Sequence, residues 1–293
     1  MIKIEIINFD SSLFPEDFKT IKNPPKKIYA EGNLNLLNTN AISIIGSRAC
    51  SINGMQIAKS FAKDLAKADL TIVSGMAAGI DTSAHIGALE VKGKTIAVLG
   101  CGFKNIFPKE NIKLFNEIIE KDGLVISEYS PEEPANSKKF LARNRIVSAL
   151  SIGILVVEAA YRSGTSVTCK FAIEQNKEVF CIPHDISDKH GTGTNKLIKN
   201  GAHLVTSAKD IIEYFDFLDY TEDSNNKLNS EKLEIAPQYL DIYNLLVGPP
   251  LNINQICNYL NKPASEVNNA LFLLELDGAI SKTPFGYQAN CDR

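Results

Sequence analysis

The 293-residue sequence lacks several features that would place it in a broad class at once. It has no apolar run near the roughly 18 residues that a membrane helix needs, and its first residues lack the layout of a signal peptide. It also has no excess of positive charge, because 31 lysines and arginines stand against 34 acidic residues, for a net charge of −3. This balance excludes a nucleic-acid binder that works through overall charge, and we expect a cytoplasmic protein with no membrane partner.

Two short motifs are missing as well. The six cysteines form no CxxC pair and stand mostly in apolar stretches, which favours reduced core thiols and indicates neither disulfides nor structural zinc. Neither GxxxxGKS nor GxxxxGKT occurs, so ATP hydrolysis of the P-loop kind is excluded. The sequence therefore calls for no metal and no nucleotide cofactor.

Between residues 41 and 217, short β-branched runs alternate with longer helical patterns. Each run is mostly apolar at both odd and even positions, as in strands that are buried on both faces. Helices between such strands imply an α/β fold, a doubly wound and mostly parallel sheet that binds its ligands beyond the carboxyl ends of the strands. The predicted strands are 42–45, 70–73, 95–99, 124–126, 152–157 and 178–182.

The remainder of the chain divides into three parts. Residues 1–40 contain three prolines and little periodicity, and we interpret them as an N-terminal arm before the core at 41–217. Residues 218–236 are acidic and then polar, which is typical of a linker. Residues 237–293 contain three short amphipathic helical patterns and a two-strand ending, which predicts a small winged helix-turn-helix domain.

The first predicted strand ends in Gly46-Ser47-Arg48 and leads into a helix near residues 51–68. Glycine lets a ligand approach the backbone, a helix amino terminus offers unpaired N–H groups, and an arginine can form a fork on a phosphate. A plain turn followed by a solvated arginine explains this short motif equally well.

Asp81 and His85 stand one helical turn apart after the second predicted strand. Such a pair can bind a metal or act as an acid and a base, but no third ligand or nucleophile stands at a suitable spacing. We favour a structural role, with Asp81 as a cap and His85 packed or paired.

The segment after the fourth predicted strand opens a helix with four cations, Lys138, Lys139, Arg143 and Arg145, and no acid. A net-negative protein with positive charge at the ligand-binding edge of its sheet is suited to a polyanion. Phe140 lies among these cations, and an aromatic ring beside cations is typical of proteins that bind single strands without reading sequence. The alternative is a solvated basic helix with Phe140 in the core.

Two further polar loops follow the fifth and sixth predicted strands. The first contains Arg162, Ser163, Gly164 and Thr165, and the second contains Lys196. Three phosphate-competent loops at one edge suit a phosphodiester chain better than a single nucleotide, although any one of them could be only a helix cap.

Taken in order, these segments resemble the DNA processing protein A family, also called DprA or Smf, over about residues 25–210. The resemblance implies an extended Rossmann-like core, a homodimer, single-stranded DNA as ligand, and no catalysis. It also implies protection of incoming DNA and loading of the RecA recombinase in natural transformation. The chain departs from the family at Leu141, where a proline is common, and at His184, where glycine is usual. The DNA site that the residues and the resemblance imply contains Gly46, Ser47, Arg48, Lys138, Lys139, Phe140, Arg143, Asn144, Arg145, Ser163, Gly164, Thr165 and Lys196.

Two other functions compete with this one. The chain is also similar to lysine-decarboxylase-like phosphoribohydrolases, but residues 163–168 carry hydroxyls where those enzymes use a glutamate in a Gly-Gly-x-Gly-Thr-x-x-Glu loop. A regulator that reads duplex DNA through its winged helix is the other alternative. Its recognition helix, residues 265–277, carries three acids and no lysine or arginine, so phosphates would repel it. We predict that this domain mainly contacts protein.

Overall fold

The computed structural model describes residues 4–160, 164–215, 236–248, 250–277, 279–283 and 286–289. The chain divides into two compact units, residues 1–220 and 221–293. Among the described residues, no helix is both long enough and apolar enough to cross a bilayer.

The described part of the first unit contains one sheet of nine strands, and strands β3 to β9 are all parallel to one another. The predicted α/β fold with a mostly parallel sheet is therefore confirmed, and all six predicted strands are present. The strands are β1 (Glu5–Asn8), β2 (Lys27–Gly32), β3 (Ala41–Ile45), β4 (Thr71–Ser74), β5 (Thr95–Leu99), β6 (Leu124–Ser127), β7 (Gly153–Val156), β8 (Glu178–Cys181) and β9 (His203–Leu204).

Helices cover both faces of this sheet. Successive residues of a strand point to opposite faces, so Ile44 packs with Phe61 and Leu65 on one side, while Ile45 packs with Val147 on the other. This two-sided burial explains why the strands are apolar at most positions. The helices are α1 (Glu16–Thr20), α2 (Ile52–Lys67), α3 (Ile80–Glu90), α4 (Ile112–Glu120), α5 (Ser137–Ala149), α6 (Gly164–Glu174), α7 (Thr192–Lys199) and α8 (Ala208–Tyr214).

In the strand order, β1-β2-β6-β5-β4-β3-β7-β8-β9, the parallel strands are added outward from β3, first on one side and then on the other. The chain adds β4, β5 and β6 on one side of β3 and β7, β8 and β9 on the other. Ile45 at the end of β3 pairs with Val156 at the end of β7, so the segments that follow these two strands meet. In doubly wound sheets this switch point is where ligands bind.

The first 40 residues are not an attached arm, which corrects our interpretation of this segment. Strand β2 pairs antiparallel with β6, and β1 pairs with β2 at the sheet edge. Phe14 and Phe18 are buried in the same core cluster as the sheet residues. The sequence hides this because β1 has only four residues with one of them buried, and because prolines interrupt the segment.

The second unit contains α9 (Leu240–Leu246), α10 (Ile253–Leu260), α11 (Ala264–Leu276) and an antiparallel pair, β10 (Ile280–Thr283) and β11 (Gly286–Ala289). Ile242, Ile256 and Leu271 form part of its own core. These elements agree with the predicted helices and strands, while the assignment as a winged helix stays a prediction. Residues 284–285, between β10 and β11, lie outside the described residues, as does all of the predicted linker except residue 236.

Candidate functional site

A pocket of about 490 Å³ opens at the carboxyl-end edge of the sheet. Its walls come from the segments after β3 and β4, from α5, and from the first turns of α6. Four stretches that are distant in sequence therefore meet at the switch point, as the strand order requires. The pocket brings together these residues of the predicted site: Gly46, Ser47, Arg48, Phe140, Arg143, Asn144, Gly164 and Thr165.

Arg48 is the cation most open to a ligand at this pocket. Its side chain is exposed, and its guanidinium carbon lies 5.3 Å from the centroid of the Phe140 ring, a cation–π distance. Within the described part of the chain, no carboxylate forms an ion pair with it. Its charge is therefore not neutralised locally and can attract an anion.

A carboxylate of the protein itself lies at the amino terminus of α2, where the sequence left open either an anion site or a plain turn. Ser51 caps this helix by accepting a hydrogen bond from the Gly54 N–H, and the Ser51 N–H and hydroxyl both donate to the buried carboxylate of Glu158. A Cβ atom at Gly54 would collide with the same carboxylate. The negative charge that a helix amino terminus favours is thus supplied by the protein itself. Any phosphate near this segment must rely on Arg48.

Glu158 also fixes the beginning of the Arg48 segment. Its backbone carbonyl accepts a hydrogen bond from the Ser47 N–H at 2.8 Å, while its carboxylate binds Ser51. One residue therefore anchors both ends of the turn that presents Arg48.

Arg143 lies in the pocket wall and is largely buried. Its Nη1 donates one hydrogen bond to the carbonyl of Gly75, directly after β4, at 2.6 Å. It donates a second to the carbonyl of Val98, within β5. Asp81 lies beside it and accepts hydrogen bonds from the backbone N–H groups of Gly75 and Ala77. Burial lowers the pKa of Arg143 to about 10 and raises the pKa of Asp81. Arg143 therefore links the carboxyl-terminal parts of β4 and β5, and its role in the pocket wall is structural.

His85 is fully buried and does not pair with Asp81. Its Nδ1 lies 2.7 Å from the Thr95 hydroxyl, and its Nε2 has no hydrogen-bond partner. Burial lowers its pKa to about 3, so the ring is neutral at physiological pH. These contacts support a packed, structural His85, but Asp81 does not cap α3: the helix begins after Gly79 with no side-chain cap, and Asp81 instead holds the loop at Gly75 and Ala77.

The structure does not bring the other basic residues of α5 into the pocket. Arg145 forms a two-pronged ion pair with Glu128, at 2.7 and 2.6 Å, and donates from Nε to the carbonyl of Asn23. Lys139 donates to Glu133 and to the carbonyl of Pro134. Lys138 is exposed and has no ion pair among the residues that the structure describes. Of these three cations, Lys138 is therefore the one that can bind a ligand in addition to Arg48.

The first turns of α6 form another part of the pocket wall. Gly164 is exposed, and the nearest atom to a Cβ placed there would be a Leu141 methyl at 3.8 Å, so the backbone can be approached closely. Thr165 and Thr168 are mostly buried and direct polar side chains to the pocket lining. Ser163 and Arg162, which the sequence placed in this loop, lie outside the described residues.

The third predicted loop is held by hydrogen bonds to neighbouring segments. The Gly193 N–H donates to the carbonyl of Ala159 at 2.7 Å, and Asn195 exchanges two hydrogen bonds with the backbone of His184. The imidazole of His184 fits because its neighbour, Gly191, has no Cβ to collide with it. Lys196 is exposed but does not line the pocket.

Phe107 is a further aromatic residue at this site, and the sequence analysis missed it. It follows β5, is 52% exposed, and its ring centroid lies 5.6 Å from that of Phe140. The signal in the sequence was an aromatic residue directly before a proline in a polar loop at the ligand-binding edge. Phe140 itself is half-buried and packs closely on Gly100.

Residues 5–216 match the family model described as DNA recombination-mediator protein A. The chain belongs to this family. Protein Smf of Escherichia coli K12 is 36% identical over 285 residues, which cover 96% of this chain and 76% of that protein. DNA processing protein DprA of Streptococcus pneumoniae is 43% identical over 204 residues, which cover 70% of this chain and 72% of that protein.

Solved structures of family members agree with the fold. DprA from Streptococcus pneumoniae superposes with a TM-score of 0.70 at 41% identity, over 73% of this chain and 75% of that one. DNA processing protein A from Helicobacter pylori, whose structure is described as revealing a unique single-stranded DNA binding mode, gives 0.65 at 32% identity over 73% and 95%.

Proposed function

We propose that the first unit binds single-stranded DNA across the pocket at the switch point. The observation that carries this proposal is Arg48, an exposed cation with no ion pair among the described residues, which lies on the pocket-lining ring of Phe140, itself in contact with the Phe107 ring. Cations that follow the backbone, next to rings on which bases stack, bind single strands with little sequence preference. The Helicobacter pylori relative, described as a single-stranded DNA binder, supports the proposal at 32% identity.

In this proposal the predicted residues have different tasks. Arg48 and Lys138 contact phosphates, and the exposed start of α6 at Gly164 and Thr165 lies along the sugar-phosphate chain. Gly46 and Ser47 line the pocket, and glycine is required at position 46 because a Cβ there would collide with buried Ile80. Three residues whose charged groups already have partners within the protein shape the site: Lys139, Arg143 and Arg145. Ser163, Asn144 and Lys196 complete the predicted set, and their contacts with DNA stay predictions.

We further propose that binding is not accompanied by catalysis. Both carboxylates near the pocket are engaged, Asp81 by two backbone N–H groups beside Arg143, and Glu158 by Ser51. A phosphoribohydrolase needs a carboxylate free to act on its substrate. Release of a base from nucleoside monophosphates by the pure protein would contradict this part of the proposal.

Protection of incoming DNA, loading of the RecA recombinase, a homodimer and a cytoplasmic location complete the proposed role. They follow from membership of the family and are tested by strand exchange, nuclease protection and sedimentation. For the second unit we propose contacts with protein. Helix α11 carries Glu266 and Glu275 and no basic residue, and Phe272 on it is 64% exposed. Duplex binding by the second unit in the full chain would contradict this.

The test of strand binding is a titration of fluorescent oligothymidine at two salt concentrations, with duplex DNA as competitor. We expect binding that weakens with salt, resists duplex competition, and falls about tenfold or more in Arg48→Ala, which loses a phosphate contact and a cation–π partner. Lys113→Ala is the matched control, because Lys113 is an exposed lysine of α4 away from the pocket lining. Equal affinities of wild type and Arg48→Ala would overturn the proposed site.

A further inference from the structure

We propose that Phe107 is a base-stacking residue of this site and extends it beyond the pocket, along the loop after β5. This inference rests on the proposed strand binding. It assigns the ring to a nucleobase of the strand whose phosphates Arg48 attracts.

The first observation is the arrangement of three planar groups. The Arg48 guanidinium lies 5.3 Å from the Phe140 ring, and the Phe107 ring lies 5.6 Å from Phe140 on a plane tilted by 38°. An exposed cation, a half-buried ring and an exposed ring therefore follow one another along the surface. A strand that meets Arg48 with a phosphate has the Phe107 ring within reach of a neighbouring base.

The second observation concerns which ring is free. Phe140 was the ring predicted to stack a base, but it contacts Arg48, Phe107 and the backbone at Gly100, where a Cβ would lie 2.5 Å from its Cδ1. Phe107 is 52% exposed. Of the two rings, Phe107 presents the larger face to a ligand.

The third observation is that this exposed ring belongs to a firmly held loop. The N–H groups of Gly102 and Lys104 donate to the carbonyls of Glu133 and Pro131, at 2.8 and 2.9 Å. On the other side of Phe107, the buried Asn111 side chain donates to the Met76 carbonyl at 2.9 Å. A ring that is already positioned loses little conformational entropy on binding, as expected of a preorganised contact.

Charge favours a nucleobase over a protein side chain as the occupant. Phe107 contacts the ring of Phe140, on which Arg48 lies without an ion pair in the described chain, and Lys109, two residues after Phe107, is exposed. A nucleotide can use both features, because its base stacks on the ring and its phosphate binds the cations.

The test compares Phe107→Leu, Phe107→Trp and wild type on two fluorescent ligands of equal length, oligothymidine and an abasic sugar-phosphate strand. Phe272→Leu is the matched control, since it makes the same change at an exposed phenylalanine of the second unit. We expect Phe107→Leu to weaken oligothymidine binding by about 5- to 100-fold, the range for loss of one stacked base. We also expect it to leave binding of the abasic strand and the salt dependence unchanged, while Phe107→Trp keeps the wild-type affinity.

The outcomes separate this inference from the proposed function. If wild type binds oligothymidine and Phe107→Leu binds it equally well, the stacking role is wrong and strand binding stands. If Phe107→Leu loses affinity for both ligands equally, the ring shapes the phosphate path and the stacking role is again wrong. If wild type binds neither ligand, both proposals fail.

Discussion

Glu158 illustrates at the scale of one residue how a buried carboxylate decides what a neighbouring helix can bind. The sequence showed a glycine, a helix start and an arginine, and the helix end was a reasonable phosphate site. Glu158 follows a strand about 110 residues later and takes that place through two hydrogen bonds from Ser51. No local pattern reveals this, because the contact depends on β7 lying beside β3.

Replacing Glu158 with glutamine tests this role. The amide keeps the shape but turns one acceptor into a donor that faces the Ser51 N–H and hydroxyl, so we expect Glu158→Gln to lower the free energy of unfolding by about 1–3 kcal/mol. Urea denaturation measures it, with Glu120→Gln on the exposed surface of α4 as control. Equal stabilities of Glu158→Gln and wild type would show that this carboxylate does not matter to the helix end.

Arg145 and Lys138 give opposite expectations although they lie in the same helix. Arg145→Lys loses the two-pronged contact with Glu128, so we expect a loss of about 1–3 kcal/mol in stability and an unchanged salt dependence of DNA binding. Lys138→Ala should leave stability unchanged and reduce the slope of log affinity against log salt by about 0.7. Urea denaturation and salt titrations of both variants measure this, and a reversed pattern would refute the assignment.

At the scale of elements, the central strands of the sheet could be predicted from the sequence, and the strands at or near its edges could not. Strands β3 to β8 are apolar at nearly every position because helices cover both faces, and such runs are visible in the sequence. Strands β1, β2 and β9 were missed because they are short or lie near the sheet edges, where burial on both faces is not required. The site followed the same division. The loops were predicted by their position after strands, whereas the partners of Arg143 and Arg145 come from distant segments.

The contact between β4, α3 and α5 is tightest at Gly75. A Cβ there would lie 2.5 Å from Nη2 of Arg143 and 2.8 Å from Oδ2 of Asp81, so we expect Gly75→Ala to lower the free energy of unfolding by about 1–3 kcal/mol. Gly164→Ala in the same unit is the control, because the nearest atom to its Cβ is 3.8 Å away. Its stability should be unchanged or slightly raised, since alanine favours helix. Urea denaturation measures the free energy of unfolding of both variants. Similar losses of stability in the two would contradict the close packing at Gly75.

At the scale of the whole molecule, the buried His85 makes stability depend on pH. Burial lowers its pKa to about 3 from the ordinary 6.5, so the unfolded chain takes up a proton in a range where the folded protein does not. The contribution of the neutral ring is therefore complete above about pH 6.5 and is lost progressively as the pH falls toward 3. The raised pKa of Asp81 acts in the opposite direction.

A comparison of wild type with His85→Asn isolates this effect, because asparagine can still bond Thr95 but does not titrate. Between pH 6.5 and pH 5 we expect wild type to lose about 2 kcal/mol more stability than the variant, although the variant is less stable at pH 7. Urea denaturation at each pH gives the difference, from which the contribution of Asp81 cancels. Parallel losses in the two proteins would show that His85 does not control the acid response.

The pairing of β2 with β6 also constrains the order in which the chain can fold as it is synthesised. Strand β2 ends at Gly32, and its inner neighbour β6 begins at Leu124, so the ribosome adds about ninety residues before the β1–β2 pair can join the rest of the sheet. Until then Ala30, which is fully buried in the finished protein, lacks its sheet neighbour Ile126. The parallel strands β3, β4 and β5 are made in this interval and neighbour one another. Strands β1 and β2 are made first but can join the rest of the sheet only once β6 exists, and chaperones have that interval in which to bind them.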